Sequence, residues 1–326
     1  MLLILSQALV FQGSNDPGRW CRFQYHAKRV RTLNISRHDK RVTSQSYKCI
    51  SDAYPEDHPL PNLRSLTNDD WDLGEELAMF VGPSLERLSL EYLDKTAVPT
   101  LLRAVLVAGA KLRTLRVPIN VIREHLPVVE ETLSEIIRST SVLSSICAPV
   151  VPEAAMAHLS TLPSLDTLQF TLEDVDLSVS LPSLGFQTLR YLFLLVSSHD
   201  MNPTFSFLNV LCAPLTRVGI DLGRAYNTSS GTRMSWQPTA EDLKHLFLAL
   251  LRFPALAEVY VGHEMDSFGL LDDIFFVTEN HLSPLFQLRN LTRLDLGEAL
   301  VRLTAATLQN MARAWPHIRD IFIGYM

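Results

Sequence analysis

One hexad, apolar-x-x-apolar-x-apolar, returns along nearly the whole chain and leaves few folds open to it. It reads VRTLNI from Val30, LERLSL from Leu85, LRTLRV from Leu112, LSSICA from Leu143 and LDTLQF from Leu165. It continues as LRYLFL from Leu189, LTRVGI from Leu215, LAEVYV from Leu256, LTRLDL from Leu291 and IRDIFI from Ile318. LRSLTN from Leu63 is a weaker copy that lacks the last apolar residue. In a short strand alternate side chains point to opposite faces, so the fourth and sixth positions face a core while the third and fifth face solvent. A single such unit cannot hide its apolar side; stacking many of them builds a continuous core.

Successive copies begin 33, 22, 27, 31, 22, 24, 26, 41, 35 and 27 residues apart. Leucine-rich repeats run about 20–29 residues, so the spacing predicts an irregular array with insertions. Several copies carry a Pro or Gly just ahead of the strand, as in LPNLRSL, GPSLERL, LPSLDTL, FPALAEV and WPHIRDI. Proline ends a preceding helix because it lacks the N–H and disfavours helical geometry in the residue before it. The intervening segments have helical periodicity. Val128, Val129, Leu133, Ile136 and Ile137 share one side, with Glu130, Glu131, Ser134, Glu135 and Arg138 on the other. Pro238-Thr239 with Asp242 reads as a capped start before Leu243, Leu246, Phe247 and Leu250, and Thr304 serves the same purpose before Leu308, Met311, Ala312 and Trp315. The expected fold is therefore α/β: a leucine-rich-repeat solenoid with a curved parallel sheet on the concave side and helices on the convex side. It comprises a leader over residues 1–19 and one domain of about eleven repeats over residues 20–326. A helical-repeat solenoid does not explain proline-preceded hexads, and a doubly wound sheet needs fewer, longer strands with a glycine-rich phosphate turn.

The 326 residues are 47% hydrophobic with a formal net charge of -6, which supports a large core and argues against a dedicated nucleic-acid binder. Cys21, Cys49, Cys147 and Cys212 lie far apart with no CxxC pair, so reduced thiols in cytoplasm or nucleus are expected. No apolar run reaches the roughly 18 residues that span a bilayer. The opening MLLILSQALVF lacks the basic segment of a signal peptide and reads as a short helix or an artefact of the start site.

Chemistry is sparse. His263-Glu264 opens like HExxH, but Ser267 stands where the second His belongs. Asp272-Asp273 and Asp69-Asp70-Trp71-Asp72 lie beside turns, where carboxylates cap helices. Arg37, Lys40 and Arg41 read as a solvated turn. No GxGxxG, GxxxxGK[ST] or GxSxG occurs, so no catalytic residue, metal site or cofactor is expected. The expected function lies on the concave face. Its fifth positions are small or polar early (Asn34, Thr67, Ser89, Arg116, Cys147, Gln169) and then run Phe193, Gly219, Tyr260, Asp295 and Phe322. Its third positions include Arg87, Tyr191, Arg217, Glu258, Arg293 and Asp320. Aromatics flanked by arginine are the composition of interface hot spots. Arg116, Tyr191, Phe193, Arg217, Tyr260, Arg293, Asp295 and Phe322 are thus the candidate partner-binding residues, and the polar insertion 223–238 is either a contact loop or a disordered one.

RFQYHAKRVRTLNIS, LPNLRSL, PSLERLSLEYL and LPSLDTLQF together resemble the fungal, mushroom-type F-box and leucine-rich-repeat proteins, over roughly Trp20 to Met326. The resemblance implies a non-enzymatic substrate receptor of a cullin-type (SCF) ubiquitin ligase, in which an F-box docks on a Skp1-type adaptor and the repeats hold a protein target. The chain departs from that pattern: Met1 to Arg19 is too short for the three helices of an F-box, so the adaptor is implied only where a functional box exists. The Asn that often follows LxxLxL is replaced by His38, Leu93 and Glu173. The alternative expectation is a repeat protein that regulates a GTPase or another enzyme, with Arg217, Arg224 or Arg233 as the acting arginine. Neither nucleic acid nor membrane is an expected partner.

Overall fold

The computed structural model describes residues 23–36, 47, 50, 58–70, 74–92, 97–117, 126–172, 184–196, 201–222, 239–262, 276–297, 300–301 and 303–323. The chain divides into two units, residues 1–164 and 165–326, with the boundary at the start of the sixth hexad.

Every hexad forms a strand that starts at its third position. In unit 1 these are β1 (Thr32–Ser36), β2 (Ser65–Asp69), β3 (Arg87–Tyr92), β4 (Thr114–Arg116) and β5 (Ser145–Ala148). They pair in parallel in chain order, third position on third position: Thr32 on Ser65, Ser65 on Arg87, Arg87 on Thr114, Thr114 on Ser145. A parallel neighbour requires the chain to cross back on one side, and that is where the helices sit. The helices α1 (Val98–Ala108), α2 (Leu126–Ser139) and α3 (Glu153–Thr161) pack on one another in sequence. Gly109, at φ 60°, ends α1 in the left-handed conformation that glycine adopts without strain.

Unit 2 repeats the plan with β6 (Thr167–Leu172), β8 (Tyr191–Val196), β10 (Arg217–Asp221), β11 (Glu258–Gly262), β13 (Arg293–Asp295) and β15 (Asp320–Phe322), again parallel and in chain order. Two short ladders accompany them, β7 (Leu184–Gly185) with β9 (Leu211–Cys212) and β12 (Phe276–Val277) with β14 (Leu300–Val301). The helices are α4 (Asn202–Val210), α5 (Ala240–Leu250), α6 (Glu279–Leu282) and α7 (Ala305–Ala314). Thr239 caps α5: its hydroxyl accepts from the Asp242 N–H, while the Asp242 carboxylate accepts the Thr239 N–H at 2.8 Å.

The fourth hexad position is the spine. Leu66, Leu88, Leu115 and Ile146 in unit 1 and Leu168, Leu192 and Leu294 in unit 2 are all 0% exposed. Each such leucine contributes about 1.5–3 kcal/mol by leaving water. A second regularity binds successive strands. Between successive hexads within each unit, the second-position carbonyl accepts two backbone N–H groups from the next hexad: Arg31 O from Arg64 and Ser65, Arg190 O from Thr216 and Arg217, Ala257 O from Thr292 and Arg293. The weak hexad joins the same ladder. Its sixth position, Asn68, is fully buried and donates through Nδ2 to the Asp70 carbonyl at 2.8 Å, so a local hydrogen bond replaces the missing apolar side chain.

Two helices depart from the expected face, α2 at a single residue and α7 by about one position. In α2 the buried set is Val129, Leu133, Ile136 and Ile137, and Val128 is exposed. In α7 the buried set is Thr307, Met311 and Ala314, and Leu308 and Ala312 face outward. The inward Thr307 hydroxyl donates to Glu279 at 2.8 Å, and Asn310 donates to the same carboxylate at 2.7 Å.

Candidate functional site

The sheet face opposite the spine carries the third and fifth hexad positions, and on unit 2 these gather seven of the eight expected binding residues. Tyr191 and Phe193 come from β8, Arg217 from β10, Tyr260 from β11, Arg293 and Asp295 from β13, and Phe322 from β15. Arg116 belongs to β4 of unit 1. The parallel register sets the rows: Tyr191, Arg217, Glu258, Arg293 and Asp320 are consecutive partners, as are Phe193, Gly219, Tyr260, Asp295 and Phe322.

The aromatic centre depends on a glycine. Phe193 lies over Gly219 of the next strand so closely that a Cβ there would stand 2.3 Å from the ring's Cδ2. With that space empty, the ring reaches across β10 and stacks on Tyr260, with centroids 6.1 Å apart and planes 15° from parallel. Gly262 does the same for Tyr260: a Cβ there would lie 3.0 Å from the Tyr260 hydroxyl oxygen and 3.1 Å from Gly297 Cα. Aromatic pairs of this geometry add about 0.5–1.5 kcal/mol to their area burial. Phe193 and Tyr260 are half-buried, and Gly219 is buried beneath the ring although its position faces outward.

Charges border the rings and are matched within the face. Arg217 Nε lies 3.1 Å from Glu258 Oε1. Arg293 meets Asp295 at 3.4 Å and sets its guanidinium over the Phe322 ring, 5.0 Å from the centroid. Asp295 also accepts the Gly297 N–H at 3.1 Å, at a turn where Gly297 has φ 54°. Exposed pairs of this kind contribute little to stability. They fix side-chain direction and leave the face without a strong net charge.

Unit 1 presents a different surface in the same rows. Its fifth positions are Asn34, Thr67, Ser89, Arg116 and Cys147. Cys147 is 8% exposed, and burial pushes its thiol up to about 11, a rise the neighbouring Arg116 partly offsets. That thiol is protonated at neutral pH and is a poor nucleophile.

Among the described residues no group of three or more metal-capable side chains occurs, and no helix is long and apolar enough to cross a membrane. His263-Glu264, Asp272-Asp273, Trp71-Asp72, the Arg37–Lys40–Arg41 run, the 223–238 insertion with Arg224 and Arg233, the 1–19 leader, and His38, Leu93 and Glu173 lie outside the described residues. Sequence reasoning missed the seat that Gly219 provides; its signal was a glycine in a row whose flanking members are Phe193 and Tyr260. It also missed Glu258 as the partner of Arg217, although the two stand in register. The architecture defines an α/β protein built on parallel strands with crossover helices. Compared with known proteins, the chain matches no family model and no curated relative.

Proposed function

We infer that this chain is a non-enzymatic protein-binding module of the leucine-rich-repeat type, resembling the substrate-recognition part of an F-box ubiquitin-ligase adaptor. Its protein target docks on the third- and fifth-position face of unit 2. The observation that carries this reading is the Phe193–Tyr260 stack seated on Gly219 and bordered by Arg217 and Arg293. Large rings held rigidly on a sheet lose little entropy on binding, and arginines beside them supply directional contacts at the rim. Hexad strands in register through each unit fit leucine-rich repeats of irregular length.

Replacing Tyr191, Phe193 and Tyr260 together with Ala tests the reading. The triple variant is expected to keep its fold, because none of the three belongs to the spine, and to lose capture of the target by at least about tenfold, as hot-spot truncation does. A folded triple variant that captures the target as well as the wild type rejects the face as the binding site. A pull-down with the purified Skp1-type adaptor tests the link to a ligase separately: binding supports it, and no binding leaves a stand-alone recognition module.

A further inference from the structure

We propose that one protein partner of this face is a second copy of the chain, docked face to face about a two-fold axis. The inference rests on reading the face as a protein-binding surface, and charge order carries it further. Across four neighbouring strands, β10, β11, β13 and β15, the third positions read Arg217, Glu258, Arg293 and Asp320, in strict register. The signs alternate. A two-fold axis parallel to the strands, midway between β11 and β13, reverses their order on the second copy. Arg217 then faces Asp320 of the second copy, and Glu258 faces Arg293 of the second copy. An axis running across the strands through the third-position row superposes each strand on itself and sets like charges together, so for this row the charge order selects the first arrangement.

The fifth row fits the same axis. Tyr260 faces Asp295 of the second copy, a hydroxyl opposite a carboxylate. Phe322, 51% exposed, faces the Phe193 ring that covers Gly219. Within one chain Arg217 is matched by Glu258 and Arg293 by Asp295, whereas Asp320 makes no ion pair among the described residues. Asp320 is the unbalanced charge of the row, and Arg217 of the second copy is the group that the axis brings to it. Two-fold pairing is the commonest closed assembly, because one self-complementary patch serves both partners. Four strands about 4.8 Å apart and three to five residues long, at about 3.3 Å per residue, give a patch of about 200–300 Å². That is smaller than the ~800 Å² per partner of a standard interface, so the association is weak and reversible.

Sedimentation equilibrium of the full chain between about 1 and 500 micromolar, the range suited to so small an interface, tests this. The average mass is expected to rise with concentration toward twice the monomer and to fall back in high salt. Arg217→Glu and Asp320→Arg alone are each expected to weaken association about tenfold, and the double variant to recover to within about threefold of wild type. Both residues are exposed, so circular dichroism should be unchanged in every variant. A constant monomer mass overturns the proposal, and so does a dimer that ignores the single changes or is not rescued by the double one. If the chain stays monomeric while the Tyr191, Phe193 and Tyr260 triple variant still loses its target, the protein-binding reading stands and this inference alone falls.

Discussion

Units 1 and 2 are built on one frame and carry different surfaces. Both align their strands third position on third position, bury the fourth position almost completely on every strand but the outer β15, and join neighbours through the same second-position carbonyl. On the exposed rows unit 1 has Asn34, Thr67 and Ser89, whereas unit 2 has Phe193, Tyr260 and Phe322. The frame is thus a matter of stability, set by every leucine in turn. The surface is free to vary, because a strand's outward side chains do not take part in the spine.

The largest expected effect tests whether the frame is shared. Leu115→Ala in unit 1 and Leu192→Ala in unit 2 each delete a side chain that is 0% exposed. Each should cost about 2–5 kcal/mol in chemical denaturation, since the cavity left behind adds to the lost transfer energy. A cost below about 1 kcal/mol in either unit breaks the equivalence of the two spines.

The next effect separates the two surfaces. Gly219→Ala places a Cβ 2.3 Å from the present position of Phe193 Cδ2, so the ring must leave its seat. We expect a loss of about 1–3 kcal/mol, together with loss of target capture. Ser89→Ala, at the same row in unit 1, should stay within about 0.5 kcal/mol of wild type. Equal costs at the two sites show that the glycine seat is not special.

A smaller effect is chemical. The Cys147 thiol, pushed up to about 11 by burial, should react with a thiol reagent at pH 8 far more slowly than the exposed Cys212. The raised value has a sign for stability. The folded state holds the proton more tightly than the unfolded one, so the contribution is complete below the ordinary thiol range and is lost as pH climbs toward 11. Denaturation midpoints between pH 8 and 11 should therefore fall more for the wild type than for Cys147→Ala. Glu258→Gln lies at the bottom of the scale. It breaks the 3.1 Å pair with Arg217 at an exposed site and should change stability by less than about 1 kcal/mol.

Much of the frame could be read directly from the residues. A six-residue pattern fixes which side chains point inward and leaves one plausible register, so all eleven hexads appear as strands, the weak LRSLTN copy included. Helix rotation was less legible. Val128 and Val129 are adjacent and equally apolar, and only packing decides that Val129 turns inward. At α7 a leucine-based reading favours Leu308, whereas Thr307 turns inward and, with Asn310, donates to the Glu279 carboxylate. The site was legible as a set of residues and illegible as an arrangement. Its rows follow from register, whereas the ring stack depends on a space that only the absence of a Cβ at Gly219 reveals. The last hexad shows the limit of patterning. Ile321 holds a spine position and is 39% exposed, because β15 is the outer strand of its sheet and no further strand covers it among the described residues.

Site-specific photo-crosslinking tests the central claim most directly. A benzoylphenylalanine placed at Phe193 in unit 2, and separately at Thr67 in unit 1, samples the same row of the two surfaces in an extract of the cells that make the protein. The account predicts a discrete protein adduct from position 193 and none from position 67. Adducts from position 67 alone, or the same adducts from both, contradict it.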